Sequence, residues 1–394
     1  MAMPISNKVA IVGTGFSRIS RHADVSLGQL AVESCQRAVE DAGLTFDDID
    51  GVSNYPQPSG IGVAPIDGVG IVTVNYMVKT APLRNLRWST SITQGTITSA
   101  LTQAVHAVAA GACNYALVWR AMHAPKGQFG IANVRVATDE NQFVAPYGFG
   151  NIVMMWAQIY SRYMAKYGHT REKHATFIVN NRRNASMNPE AIFFEKAIGR
   201  DDYLTNTMVS DPLSYLDCDM PIDGCGALVV TSAERARDLP VTPAYVTGCT
   251  SLGVPYQHVP VFSLENFVES GRRLTQTTWE NAGMGPEDID SLNLYDGFSF
   301  MPLLWLEMFG FCGEGEAGDF IQDGRIEIGG SHPLNTSGGA LGMGRLHGTP
   351  QLIEAVRQIQ GRCGPRQLPK VETALVHAGS SLHGSGACVL SRNP

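Results

Sequence analysis

The sequence predicts an α/β protein built from two duplicated halves packed face to face, in a five-layer α-β-α-β-α arrangement with an inserted loop and helical cap. Three observations carry this. Apolar strands alternate with helical stretches, two segments recur in the same order, and one helix is apolar nearly all round. A helix of that kind belongs between sheets and not on a surface.

The elements follow in chain order. Val9–Val12 is an apolar strand. Residues 25–42 form an amphipathic helix, because Leu27, Leu30, Ala31 and Cys35 fall on one stripe. Gly43 stops it. Asp50–Asn54 begins the next strand, and residues 96–110 are the all-round apolar helix. Tyr115–Trp119 reads as a strand buried on both faces, as in a helix-covered sheet. Residues 120–215 interrupt the pattern with an aromatic-rich insertion, helical in spacing over 150–167. It serves as extra core and dimer contact, or as a cap shaping an apolar substrate pocket; the two are compatible. Pro221–Val230 is a turn entering a strand, with Asp223 structural and Cys218 and Cys225 buried small residues. A helix over 263–281 then opens the second half.

The repeat is explicit. DAGLTFDDIDGV at 41–52 returns as NAGMGPEDIDSL at 281–292, an offset of 240. The turn, helix and strand that begin at Gly95-Thr96 return at Gly348-Thr349, an offset of 253. The expected organisation is therefore an N-terminal half (1–119), the insertion (120–215), the end of that half with a connection (216–262), and a C-terminal half (263–394).

Composition narrows the function. Charged residues are 16%, against roughly 25% in an ordinary soluble domain. So lean a chain is neither disordered nor a solvated coiled coil, and it implies a large core and an extensive subunit interface. The net charge of −7 with scattered lysines and arginines speaks against nucleic acid and against a polybasic membrane surface. None of the eight cysteines forms a C-x-x-C pair, which rejects a zinc ribbon in this chain, and no metal is expected. The N-terminus lacks the regions of a signal peptide. The most apolar stretch, Ala100–Trp119, contains Gln103, His106 and Asn114, which argues against a membrane span. The expected compartment is the cytoplasm. Gly13-Thr14-Gly15 after a strand suggests a dinucleotide fingerprint, but Arg18 occupies the third glycine position and no helix begins there.

Several motifs remain: LDCDMPIDGCGALVVTS at 216–232, NLYDGFSFMPLLWLEMFGFCGEGEAGDFI at 293–321, PLNTSGGALGMGRLHG at 333–348 and the C-terminal GSSLHGSGACVL. With VAIVGTG and the duplicated halves, they resemble the thiolase superfamily over essentially the whole chain. More narrowly, they are similar to the lipid-transfer-protein branch related to sterol-carrier-protein thiolases, and to the steroid side-chain-cleaving aldolases within it.

The resemblance implies a thiolase-like fold and tells which chemistry survives. A thiolase places a nucleophilic cysteine at the N-terminus of the first buried helix, where the thiol pKa falls. Here that place reads Thr93-Gln94-Gly95-Thr96. The thiolase histidine slot holds Arg345, and the second cysteine falls around His377-Ala378. Acyl transfer through a thioester is the weakest of the readings. The aldolase branch uses two tyrosines instead. One matches Tyr295 in the L-Y-D motif; the other, two residues before a His-Gly pair, is Arg345 in this chain.

The expected catalytic residues are Tyr295 as proton-transfer group, with Arg345 and His347 as its electrostatic partners. Arg345 cannot be a base, because a guanidinium stays protonated, but it can ease ionisation of a neighbouring phenol. Arg345 is otherwise a structural ion-pair residue, for instance with Asp296, and Asp296 itself fixes a loop or meets substrate. Expected substrate contacts are Gln94, Asp296, His383 and Gly339. Gly339 belongs to a glycine run that permits close backbone approach. His377 and His383 lie in a C-terminal glycine-rich loop, read as an oxyanion hole or as a tight turn between strands. The implied activity is retro-aldol cleavage of a bulky β-hydroxyacyl-CoA such as a steroid or bile-acid side chain, with CoA part of the substrate and no other cofactor. The alternative is a non-catalytic acyl-CoA or sterol-binding subunit. The implied assembly is a homodimer joined by a separate small OB-fold/zinc-ribbon protein that helps hold the acyl-CoA, together a heterotetramer.

Overall fold

The computed structural model describes residues 5–56, 71–92, 95–124, 142–143, 145–149, 151–252, 263–382 and 384–394. The first half contributes β1 (Val9–Phe16), α1 (Leu27–Asp41), β2 (Gly51–Asn54), α2 (Val74–Thr80), β3 (Trp88–Ser91), α3 (Ile97–Ala109) and β4 (Tyr115–Met122). The insertion brings α4 (Ile152–Tyr167), α5 (Arg171–Ser186), α6 (Arg200–Leu204) and a hairpin of β5 (Met208–Ser210) and β6 (Leu213–Ser214). There follow β7 (Gly224–Ser232), α7 (Ala233–Ala236), β8 (Ala244–Leu252), α8 (Leu264–Ala282), β9 (Ser291–Asn293), α9 (Met301–Met308) and α10 (Ala317–Phe320). The chain ends with α11 (Gly339–Met343), α12 (Thr349–Gln360), β10 (Thr373–Ser380) and β11 (Gly384–Ser391).

Sequence dictates the two matching helices directly. Ser26 caps α1 by accepting from the Gln29 amide, and Ser263 caps α8 by accepting from Asn266. Gly43 and Gly283 follow them in the left-handed region, where a glycine ends a helix without steric cost.

Among the described residues, nine strands form one sheet in the order β3-β2-β4-β7-β1-β8-β11-β10-β9. The duplication is visible in that order. Reading inward, β2-β4-β7-β1 is matched by β9-β10-β11-β8. In both halves the outer pair is parallel and the next two pairs are antiparallel. β1 and β8 meet through only two register pairs, Ala10 with Tyr245 and Ile11 with Ala244. The two half-sheets are thus joined edge to edge through β1 and β8. β8 is the counterpart of β1, so the second half-sheet starts at Ala244, ahead of the helix that the sequence takes as its beginning.

The layers form because each half-sheet is apolar on both faces. α3 and α12 fill the space between the half-sheets with Leu101, Val105, Leu352 and Val356, against Val118 and Val230 on one side and Val376 and Leu390 on the other. Ser53 of β2 donates to the Ala100 carbonyl, and Ser251 of β8 donates to Ser99, so α3 is tied to both halves. α1 covers the outer face of the first half, and α8 and α9 cover that of the second. Gly13 and Gly15 serve this packing. A Cβ at Gly13 would stand 2.1 Å from the Ala38 carbonyl, and one at Gly15 2.6 Å from that of Ser34. The insertion packs its aromatic residues, Trp156, Tyr160, Tyr163 and Phe177, into the second half's outer core.

Candidate active site

The parallel strands β2 and β9 end at equivalent places, and the chain leaves each with a tyrosine. Tyr55 and Tyr295 are 240 residues apart, the offset of the repeat. Duplication therefore delivers one tyrosine from each half to the same region. Asn335 fixes the exit of β9: its Oδ1 accepts from the Leu294 amide and its Nδ2 donates to the Leu294 carbonyl.

Tyr295, Arg345 and His347 come together as the sequence predicts. Arg345 Nε donates to His347 Nε2 at 3.1 Å. On the other side of the imidazole, Arg120 Nη2 stands 3.3 Å from Nδ1. The ring is held between two guanidinium groups. His347 also has a φ of 47°, uncommon for a side-chain-bearing residue and the kind of backbone conformation that surrounding contacts must impose. Arg120 is 1% exposed. Its Nη1 donates to the Tyr55 carbonyl at 2.6 Å, and its guanidinium lies 4.4 Å from the centre of the Tyr55 ring.

A short antiparallel ladder closes the site. Cys218 bridges Phe298, the Asp219 amide donates to the Gly297 carbonyl, and the Ser299 amide donates to the Asp217 carbonyl. Arg345 is tied to the same segment through its amide on the Met220 carbonyl. Its Nε lies 3.9 Å from Asp219 Oδ1, so the ion-pair partner is Asp219 and not Asp296. The Tyr295 hydroxyl lies over Gly297, 2.3 Å from where a Cβ would stand. It makes no hydrogen bond among the described residues. Behind the ladder, the buried Asp217 accepts from Ser299, Tyr203 and Ser214, and His174 bonds Ser299 at 2.8 Å.

Asp296 is taken up by the fold. It is wholly buried, and its oxygens accept from the Ala340 amide, Asn181 and Gln351. It ties α5, α11 and α12 together. Gly339 lies against it, at a φ of 58°, with Asp296 Oδ2 2.2 Å from the place of a Cβ. Of the two readings of Asp296, the loop is the one its partners support, and Gly339 serves that loop as well, because a buried carboxylate needs donors and α11 supplies them. Gln94 and His383 lie outside the described residues. His377 belongs to β10 and not to a loop; its ring packs on Trp305 at 3.6 Å between centres.

Burial and charge act against each other here. Burial raises the Tyr295 phenol well above its ordinary value, the Asp219 carboxylate adds to that, and Arg345 opposes it. Burial pushes Asp219 up to about 7 against the pull of Arg345. It brings Arg120 down to about 10. The eight thiols are all raised, primarily by burial. Thr96 caps the start of α3, and its hydroxyl lies 2.7 Å from that of Thr98.

Sequence reasoning misses Tyr55, Arg120 and Asp219. Arg120 was legible as a charge inside an apolar run; β4 continues to Met122, three residues past its expected end, and carries it. Tyr55 was legible from the offset of 240. Asp219 had no signal beyond a second aspartate beside Cys218.

Residues 256–392 match the family described as thiolase C-terminal domain-like. The chain is 33% identical to the 17-hydroxy-3-oxo-4-pregnene-20-carboxyl-CoA lyase of Mycobacterium tuberculosis, over 97% of this chain and 99% of the relative. It is 34% identical to the steroid side-chain-cleaving aldolase of Thermomonospora curvata, over 96% of each. The chain belongs to the thiolase superfamily, in the branch of the steroid side-chain-cleaving aldolases. A solved structure described as Ltp2-ChsH2(DUF35) aldolase superposes with a TM-score of 0.86 at 31% identity, covering 98% of both chains. Within this branch the chain keeps the tyrosine of the L-Y-D motif and differs in presenting Arg345 where the resemblance implies a second tyrosine. Among the described residues, no helix is long and apolar enough to cross a membrane, and no group of three or more His, Cys, Asp or Glu could hold a metal ion.

Proposed function

We propose that this protein is a carbon–carbon lyase that cleaves the side chain of a bulky β-hydroxyacyl-CoA, such as a steroid or bile-acid thioester, by a retro-aldol reaction. One observation carries the reading: a phenol without a hydrogen-bond partner among the described residues, Tyr295, beside Arg345 and its partner His347. The names of the 33–34% identical relatives support the same class of reaction.

The reaction needs a base for the β-hydroxyl proton, cationic or hydrogen-bonding groups for the enolate oxygen, and a proton for the α-carbon. A free tyrosine is a poor base near pH 7, and burial makes it poorer. Arg345 works in the opposite direction, lowering the phenol and offering positive charge to the thioester oxygen. His347 orients the Arg345 guanidinium. The raised thiols disfavour an acyl-enzyme, since the thiolate is the nucleophile.

The acyl-CoA is held by a homodimer of this chain with a separate small OB-fold/zinc-ribbon partner. The two-component description of the 31% identical neighbour supports a separate partner. Arg345 in place of a tyrosine favours a second reading, a non-catalytic acyl-CoA-binding subunit. One experiment decides: the chain, purified alone and together with a small OB-fold/zinc-ribbon protein of the proposed kind, is incubated with a β-hydroxyacyl-CoA, and the released ketone or aldehyde is followed. Release supports the lyase; binding without release supports the second reading. Tyr295→Phe is expected to lower kcat by about 10²–10⁴, the usual scale for a lost proton-transfer group. Full activity in that variant would overturn the role given to Tyr295.

A further inference from the structure

We infer that Asp219 is the proton acceptor behind Tyr295, a residue that acts through the phenol and stands in for the missing second tyrosine. The inference rests on the lyase reading above and deepens it.

The geometry carries it. Asp219 is 2% exposed, and its Oδ2 has no hydrogen-bond partner among the described residues. A buried carboxylate oxygen without a donor is costly, so a native structure that keeps one calls for an explanation. Asp296, also buried and nearby, shows the usual solution, with a donor for each oxygen. Asp219 is instead fixed by its backbone. Its amide bonds the Gly297 carbonyl at 3.1 Å, and the Tyr295 hydroxyl rests on Gly297. A carboxylate oxygen and a phenol, neither with a hydrogen-bond partner among the described residues, are thus held beside the same residue. Arg345, 3.9 Å from Asp219 Oδ1, lies beside both.

Protons and electrons balance over the cycle. The substrate hydroxyl gives its proton to the Tyr295 oxygen as the phenolic proton passes to Asp219. The Cα–Cβ bond breaks, its electron pair moves to the thioester enolate, and a carbonyl forms at Cβ. The proton held by Asp219 returns through Tyr295 to Cα. No oxidant or reductant takes part. A carboxyl group near neutrality suits this, because proton transfer is most effective when the acceptor titrates near the working pH. The charged and titratable groups that face Asp219 are Arg345, Tyr295, Asp296 and the Cys218 thiol, with Arg120, His347 and Tyr55 beyond them.

The test uses the full chain with its small partner. Asp219→Asn is expected to lower kcat ten- to a hundredfold, to leave KM within about twofold, and to erase the ionisation near pH 7 from the pH dependence of kcat/KM. Asp219→Glu is expected to restore part of kcat and the ionisation. A readout without substrate accompanies this: the Tyr295 phenol, followed by its ultraviolet titration difference against Tyr295→Phe, should ionise at lower pH in Asp219→Asn. If wild type cleaves and Asp219→Asn keeps full kcat with an unchanged pH profile, the relay is overturned and the lyase reading stands. An unmoved phenol titration also overturns the relay. If wild type cleaves nothing, the lyase reading falls and the relay falls with it. Circular dichroism shows whether the Asn variant folds; should it not, the Glu variant carries the test, and a Glu variant without the ionisation near pH 7 overturns the relay.

Discussion

At the residue scale the site is a contest between burial and charge, and stability should record it. Asp219 and Asp296 are both pushed up to about 7, chiefly by burial. The folded chain keeps protons that the unfolded chain gives up at an ordinary carboxyl value. Each group's stabilising contribution is complete below about 3.8 and is lost as pH rises through about 7. His169 and His174, brought down to about 3 by burial, and His377, also held well down by burial, act in the opposite direction around and below their ordinary value of 6.5. The carboxyl effect is therefore read between pH 6.5 and 8. Thermal unfolding should show Tm falling over that interval, with a smaller fall in Asp219→Asn. A fall in Asp219→Asn as large as in wild type would contradict the raised Asp219 carboxyl. The motif around Tyr295 and the pair Arg345 and His347 were legible at this scale because they lie in short characteristic stretches. Asp219 was not, because its significance is an oxygen left without a donor, and only neighbours from distant segments can leave it so.

At the element scale, the ladder between 217–219 and 297–299 sets the position of the phenol. Gly297 is the pivot: its missing side chain is where the Tyr295 hydroxyl lies. Gly297→Ala would push the end of a side chain and not a backbone, so the fold should tolerate it. The phenol would shift by an ångström or more, and misplacement on that scale costs about 10²-fold in rate. The expected outcome is a kcat lowered by about that factor with Tm changed by only a few degrees; steady-state kinetics beside thermal unfolding checks it. Wild-type activity would mean that the hydroxyl is not needed where it lies. β4 teaches a related lesson. Its apolar run Tyr115–Trp119 identifies the strand, but the charge of Arg120 interrupts the run and hides that the strand continues through Ala121 to Met122. Pairing with Gly224–Gly226 of β7 carries the strand onward.

At the scale of the whole molecule, duplication places the site. Two half-sheets with the same strand order share a central layer, and each half brings a tyrosine to the end of an equivalent strand. Leu101 of α3 lies fully buried between the half-sheets. Leu101→Ala should cost about 2–5 kcal/mol, the range for emptying a well-packed core position. Because α3 contacts both halves, the loss should appear as one unfolding transition moved to lower denaturant; two separate transitions would show that the halves unfold independently. The sequence by itself determined the layers, the repeat and the family resemblance, since periodicity, helix caps and recurring segments are local properties of the chain. It also located Tyr295, Arg345 and His347. The tertiary structure alone decided which of the two readings of Asp296 holds, that Asp219 is left with an oxygen lacking a donor among the described residues, and that the two halves meet at β1 and β8. Those outcomes depend on which donors, charges and strand edges meet across tens to hundreds of residues, and local pattern does not encode such meetings.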